Sequence, residues 1–302
     1  MAMTLKDYAA QEQDMLRQGL IDMLWQSSRI ASRLNFIGWN GLSYPYSKRT
    51  KRPGVGTRSL NGSFTIAPGN VSPDTETLAI LGGAARTDTV MNRFKPNLRE
   101  NEIAGTIESG GLLFDRLFIK GDPTQTGKAN EFYGLYARMP ASQKIAMATN
   151  GATPTAAKVS ELLDMVSGPN SEKKLLMPRT TRRLLSDNVK GSAGGKGVFD
   201  VGLQLTSYDN AEIVEVEKDE SDNEIMPFTE TQGSSSVASS ILCCRFGGAV
   251  DERDVQGILG LQIGVEATVN YGTYLEDTIQ MVGGIGIFGG YSIAQLTGVL
   301  AA

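Results

Sequence analysis

The chain has 302 residues, 40% of them hydrophobic and 21% charged, a composition that can bury a core and excludes disorder as the main state. Against 29 Lys and Arg stand 33 Asp and Glu, a net charge of −4, which disfavours a surface given over to nucleic acid. There is no histidine, so a Ser-His-Asp triad, a Cys-His dyad, an imidazole base and an imidazole-bound zinc are all excluded.

Leu16, Leu20, Met23, Leu24, Ala31 and Leu34 recur at helical spacing and predict a helix from a Thr4 cap to about residue 36. The first fifteen residues lack the apolar run of a secretory signal, and no later stretch reaches the 18 or so residues of a membrane span. From Gly38 to Pro73 the chain is rich in Gly and Pro and sparse in apolar residues. Between Asp22 and Asp74 it carries seven cations and no anion. Lys48, Arg49, Lys51, Arg52 and Arg58 are five of them, and Trp39, Tyr44 and Tyr46 lie beside these. Ser63–Ala67 alternates like one strand of a long hairpin. A coreless segment of this length is functional or a linker, and an arm lying on another subunit accounts for it. The cations then meet an acidic neighbouring surface, and the aromatics anchor the arm on a protein.

A strand is predicted at Glu76–Leu81, ending at Gly82-Gly83. A long helix follows over Asn97–Lys120, weakened by Gly105, Gly110 and Gly111 and stopped by Gly121-Asp122-Pro123. Thr153-Pro154 caps a third helix through Val159, Leu162, Leu163 and Val166, ended by Gly168-Pro169. Leu175–Met177 reads as a strand leading into a helix through Leu184 and Leu185, and Gly191–Gly197 reads as a loop. Strands are predicted at Ala211–Glu217, Val237–Phe246, Gly257–Val269 and Asp277–Phe288. An acidic turn over Glu217–Glu224 is expected as a solvated hairpin tip.

No constellation of catalytic residues is visible. Gly284–Gly289 has the G-x-G-x-x-G spacing, but 13 residues remain after it, too few for a dinucleotide fold, so close packing in a sheet is the better account. Gly121–Lys128 and Gly191–Lys196 miss the Ser/Thr of a phosphate loop. The acids of residues 212–224 lack the spacing of a calcium loop, so neither cofactor nor metal is expected. Cys243 and Cys244 are adjacent in an apolar run and read as two strand thiols of a reducing compartment.

Several phrases resemble one family. Phe114–Met139 ends a long helix at Gly121-Asp122 and continues as Glu131-Phe132-Tyr133-Gly134-Leu135. Lys174–Leu185 reads as a strand followed by an Arg-rich helix. Ile241–Gly247, Gly257–Gly264 and Met281–Leu296 read as closing strands. Their order, after an N-terminal helix and a basic hairpin, resembles the major capsid proteins of tailed bacteriophages. These have the Hong-Kong-97-type shell fold, which encapsulins share.

The resemblance implies an α+β fold in four parts. These are an N-terminal arm (1–37), an extended loop (38–76), a peripheral domain with a spine helix (77–150 plus about 271–302), and an axial domain (151–270). It implies hexamers and pentamers of one chain forming an icosahedral virion shell in the host bacterial cytoplasm. The implied partners are a separate scaffolding protein, a portal, and packaged double-stranded DNA bound non-specifically on the inner face. Some members cross-link through an extended-loop lysine. Lys48 and Lys51 are available, but no promoting acid is matched to them. An encapsulin-like compartment holding cargo enzymes is the alternative. A carboxylate-only enzyme using Asp115, Glu131 or Asp122 is a more distant one.

Overall fold

The computed structural model describes residues 3–7, 15–64, 67–95, 97–191, 197–200, 204–247 and 254–301. Strand β1 (Met3–Thr4) runs into a helical turn at residues 5–7. Thr4 caps it as expected: the Asp7 N–H donates to Thr4 Oγ1 (3.2 Å) while Asp7 Oδ2 accepts from the Thr4 N–H (3.0 Å), a reciprocal capping pair. Helix α1 (Met15–Ser27) then stops short of the predicted end. Ser28 Oγ accepts from the Ala31 N–H and donates to Asp115, so Ala31 and Leu34 lie in a turn, followed by β2 (Asn35–Gly38).

The basic segment is a hairpin of β3 (Ser43–Lys51) and β4 (Asn70–Thr77). The second strand comes later than Ser63–Ala67, because Gly54 N–H bonds Ala67 O (2.8 Å) and closes the loop before it. Thr65 and Ile66 lie outside the described residues. Pro45 faces Thr75 and Pro73 faces Ser47. Lacking N–H groups, these prolines fit only the pairs whose amides point away from the partner strand.

β5 (Ala79–Asp88) runs through Gly82-Gly83 instead of ending there. A Cβ on Gly82 would lie 2.1 Å from Ile279 O, so this glycine serves a close strand contact, not a turn. After α2 (Thr89–Phe94) comes the long helix α3 (Leu98–Lys120), stopped at Gly121. Short α4 (Leu135–Arg138) and β6 (Lys144–Ala146) follow. Helix α5 (Ala156–Met165) is capped by Thr155, two residues later than predicted.

β7 (Lys173–Pro178) leads into α6 (Arg179–Gly191). Residues 192–196 of the glycine loop lie outside the described residues. The remaining strands are β8 (Gly197–Asp200), β9 (Gln204–Tyr208), β10 (Ala211–Val216), β11 (Glu230–Gln232), β12 (Ser235–Arg245), β13 (Val255–Asn270), β14 (Tyr274–Ile287) and β15 (Ile293–Leu300).

One sheet has the order β1-β2-β13-β14-β5 and the other β6-β15-β12-β7-β10-β9-β8, with β11 beside β12. Two cores result. The first packs α1 and α3 on the five-stranded sheet through Ile21, Leu24, Phe36, Ile107, Phe114 and Phe118. The second packs α5 and α6 on the larger sheet through Val159, Leu162, Leu185, Leu175 and Leu296. β12 divides them. Ile241 and Cys243 face one core, while Leu242 and Cys244 face the other. Burial on both faces accounts for its unbroken apolar run. Successive strand residues point oppositely, so the two thiols diverge and both are free. Burial pushes Cys243 up to about 12 and Cys244 well above the ordinary thiol value.

The long helix approaches the N-terminal segment most tightly at Gly111. A Cβ on Gly111 would lie 2.1 Å from Ser27 Oγ and 3.2 Å from Ser28 N, so glycine is required there. One turn on, the buried Asp115 accepts from Ser28 Oγ (2.5 Å), Arg29 N–H (3.1 Å) and Ile30 N–H (3.3 Å).

Candidate assembly surface

The hairpin β3–β4 stands on an aromatic footing. Trp39 meets Tyr44 edge-on at 5.2 Å, and Tyr44 and Tyr46 meet Phe288 at 6.0 and 5.1 Å. Trp39 Nε1–H donates to Ser43 O (2.7 Å). These three aromatics, read from sequence as anchors on a neighbour, pack within their own chain. The Tyr46 hydroxyl donates toward Asp74 (3.1 Å) and Glu76 (3.2 Å). Burial, aided by both carboxylates, raises its pKa well above the ordinary phenol value. Arg138 holds the buried Glu76 from the other side. Between hairpin and body lies a cleft of about 640 Å³, lined by Tyr46, Asp74, Tyr133, Arg138 and Tyr291 among others.

Further out, none of the described residues covers the hairpin. Val55 is 98% and Leu60 94% exposed, and Phe64 and Val71 are exposed too. Lys51, Arg52 and Arg58 are exposed and Lys48 is half-buried, while Arg49 pairs with Val71 through the backbone. The Arg58 guanidinium lies 5.5 Å over Phe64 and donates to Gly62 O (3.2 Å). The chain thus brings its cations and apolar tip together on one projecting, uncovered element.

The carboxylates considered for catalysis each have structural partners, and Glu131 also accepts from the Asp122 N–H (3.3 Å). Glu131 accepts from Arg116 (3.0 Å), and Asp122 accepts from Thr124 Oγ1 (2.6 Å), a bond that lowers its pKa. Burial pushes Asp115 up to about 7 against the pull of its three donors. The acidic turn is a solvated tip as expected: residues 217–224 are exposed apart from the half-buried Asp219. Glu212 and Glu215 lie in β10, where Glu212 pairs with Arg33 and Lys174 and Glu215 with Arg29. Glu220 pairs with Arg116 (3.0 Å) at 26% exposure, while the exposed Asp222 pairs with Lys218 (3.3 Å). Asp219 Oδ1 accepts from the N–H groups of Ser221 and Asn223, both at 2.9 Å, and closes the turn itself. Among the described residues no group of three or more Cys, Asp or Glu has the placement to hold a metal. Gly284 and Gly286 lie in β14, where added Cβ atoms would strike Leu78 and the Phe288 ring, so sheet packing accounts for that motif. Among the described residues no helix is long and apolar enough to cross a membrane.

No family profile and no curated protein matches the chain. Solved structures do. An encapsulin complex from Synechococcus elongatus PCC 7942 is similar with TM-score 0.65 at 14% identity, over 91% of this chain and 88% of that one. The capsid of a native GTA particle gives TM-score 0.63 at 12% identity, over 90% of each chain. The capsid of Myoviridae phage XM1 gives TM-score 0.52 at 14% identity, over 87% and 90%. The fold is thus the α+β fold of these capsid and encapsulin chains. It is the Hong-Kong-97-type fold that the sequence phrases resemble.

Sequence reading missed the Glu76–Arg138 clasp. Its partners are 62 positions apart and each looks like a surface charge. The basic hairpin itself carried a signal, the long stretch without an acid.

Proposed function

We propose that the chain is the major capsid protein of a tailed bacteriophage head. Copies gather as hexamers and pentamers into an icosahedral shell in the host bacterial cytoplasm, with a separate scaffolding protein and a portal. The shell encloses double-stranded DNA held without sequence preference. The observation that carries this reading is the uncovered hairpin, on a chain whose fold is that of shells. An isolated two-stranded sheet is marginal in water, and Val55 and Leu60 find no cover in one subunit. On this reading residues 1–37, 38–76, 77–150 with 271–302, and 151–270 serve as arm, extended loop, peripheral domain and axial domain. Lys48, Arg49, Lys51, Arg52 and Arg58 face the neighbour, and Trp39, Tyr44 and Tyr46 brace the loop at the contact.

The test is electron microscopy of purified protein, alone and with its scaffold. Closed shells are expected. The triple reversal Lys48→Glu, Lys51→Glu, Arg52→Glu should fold and fail to assemble. A sedimentation run showing only a 32.4 kDa monomer at high concentration, with and without scaffold, overturns the proposal.

The likeness to the Synechococcus encapsulin complex, as good as that to the capsids, favours a second reading. A compartment would hold cargo proteins. Shells from the native host that contain co-purified protein and no nucleic acid decide for it, and DNA-filled shells decide against it.

A further inference from the structure

Three Asn-Gly pairs occur in the chain, at 40–41, 61–62 and 150–151. Each holds the parts of a reaction with itself. Glycine puts no side chain over its amide nitrogen, and that nitrogen can attack the side-chain carbonyl carbon of the asparagine before it. All three asparagines are exposed, so access does not separate them. Freedom to reach the ring-closing geometry does.

Two of the pairs are held. Trp39 N–H bonds Leu259 O (2.9 Å) and Leu42 O accepts from Leu78 N–H (2.9 Å), so Asn40-Gly41 is pinned on both sides. Asn150 Oδ1 accepts from Ser234 N–H (3.2 Å). The residues after it are tied by Gly151 N–H to Ala148 O (3.2 Å) and Ala152 N–H to Gly298 O (2.9 Å).

Asn61-Gly62 is different. It lies in the loop at the end of the hairpin, closed at its base by Gly54 N–H on Ala67 O (2.8 Å). Within that loop, among the described residues, the backbone makes one further bond, Gly62 N–H to Ser59 O (3.0 Å). Arg58 Nη1 approaches the same oxygen (3.4 Å) and donates to Gly62 O (3.2 Å). Asn61 takes a left-handed φ of 64°, which asparagine tolerates, and its side chain has no partner among the described residues. A Cβ on Gly62 would lie 2.7 Å from Ser59 Oγ, so the turn itself selects the glycine. The guanidinium beside the turn favours the deprotonated amide that attacks.

We infer that Asn61-Gly62 deamidates spontaneously in the free subunit, with water as its one co-reactant, and that assembly stops the reaction. The stop rests on the shell reading above; the reaction does not. Gly62 N gives up its proton and bonds Asn61 Cγ, the Cγ–Nδ2 bond breaks, and ammonia leaves with that proton. Water then opens the imide at either carbonyl, and a carboxylate remains at position 61. When the main-chain carbonyl is the one opened, the chain runs on through Cγ. Nothing is oxidised or reduced. No acid stands between Asp22 and Asp74 in the unreacted chain. On the shell reading the new anion repels the surface that the hairpin cations attract. A free copy thus carries a record of its age on the hairpin, and older copies lose their place in a growing shell.

Free subunits and assembled shells are incubated in mildly alkaline buffer, digested, and followed by mass spectrometry of each peptide. In free subunits the Asn61 peptide is expected to exchange amide for acid at least about tenfold faster than the Asn40 and Asn150 peptides, whose ring closure waits on local opening. In shells the Asn61 peptide should slow by a similar factor. Asn61→Asp, mixed with wild type, should be depleted from shells at least about twofold relative to the input. Asn61→Gly, which keeps the turn without the charge, should not be depleted. An Asn61 peptide no faster than the other two in free subunits overturns the site. Equal rates in shells and free subunits, or equal uptake of the two variants, overturns the link to assembly and leaves the shell reading standing. A wild-type chain that never assembles removes the shell reading, and the three peptides of the free subunit still decide the site.

Discussion

Arg138 grips Glu76 through both carboxylate oxygens, Nη1 at 2.8 Å from Oε1 and Nη2 on Oε2, and so fixes the hairpin to α4. Glu76 is 5% exposed and shares Oε1 with the Tyr46 hydroxyl, while Arg138 also covers the Tyr133 ring at 5.7 Å. The clasp sets the angle at which the hairpin leaves the body.

Arg138→Ala leaves the Glu76 carboxylate buried with only a phenol for partner. Breaking a buried pair from one side is expected to cost about 2–4 kcal/mol. Calorimetry should show Tm lowered by roughly 3–6 °C for a chain of this size. Limited proteolysis near Arg52 and Arg58 should quicken as the hairpin loosens. An unchanged Tm would mean that the pair contributes nothing.

Asp115 makes stability depend on pH in the direction unusual for a carboxylate. Its pKa is raised to about 7 in the fold, against about 3.9 in an unfolded chain. The folded state therefore holds the extra proton between these values. The stabilisation is full below about pH 4 and is lost as pH rises towards 7, by on the order of 1 kcal/mol per pH unit. Asp115→Asn keeps the shape without the titration. Urea titrations at pH 5 and pH 8 should show a smaller difference for the variant than for the wild type. Equal differences would assign the pH dependence to other groups.

Gly111 and Gly105 lie on one helix in opposite circumstances. Gly111→Ala drives a Cβ onto Ser27 and Ser28, and overpacking of this kind costs roughly 1–3 kcal/mol. Nothing lies within 4 Å of a Cβ on Gly105, so Gly105→Ala in the unassembled subunit should gain up to about 1 kcal/mol from helix propensity. Denaturant midpoints of the two variants should move in opposite directions.

Shortening the acidic turn costs something, because Glu220 reaches Arg116. Replacing Asp219–Asn223 by a two-residue turn should lower stability by about 1 kcal/mol or less, the worth of a part-exposed pair. Arg116→Met should cost more, since it also takes the guanidinium from Glu131 and leaves it the Asp122 N–H alone. A calcium chelator should change neither melting curve. A chelator-dependent fall in Tm would assign a metal to these acids.

The parts legible in the sequence were those with local rules. Leu98–Lys120 declared itself by apolar spacing and a hard stop at Gly121-Asp122-Pro123, and β12 to β14 by apolar runs. What stayed hidden depends on contacts between distant residues. Gly82-Gly83 looks like a turn until β14 lies against it. Ala31 and Leu34 continue a helical period, yet Ser28 and Asp115, 87 positions apart, divert the chain first. β8, β9 and β11 are short and polar, and only their neighbours in the sheet make them strands. For the candidate surface, the missing acids of residues 23–73 marked the hairpin. The footing that holds it, through Phe288 and Arg138, left no mark.

β13 and β14 lie between β2 and β5, and β15 lies between β6 and β12, so the last strands to be made occupy interior places in both sheets. During synthesis neither sheet closes until residues 255–300 have left the ribosome. Contacts this distant in sequence delay folding until the chain is nearly complete. A chain cut short by a premature stop then cannot present a finished hairpin footing or a paired β13. Such fragments are excluded from whatever the intact chains build, with no separate machinery needed to check their length.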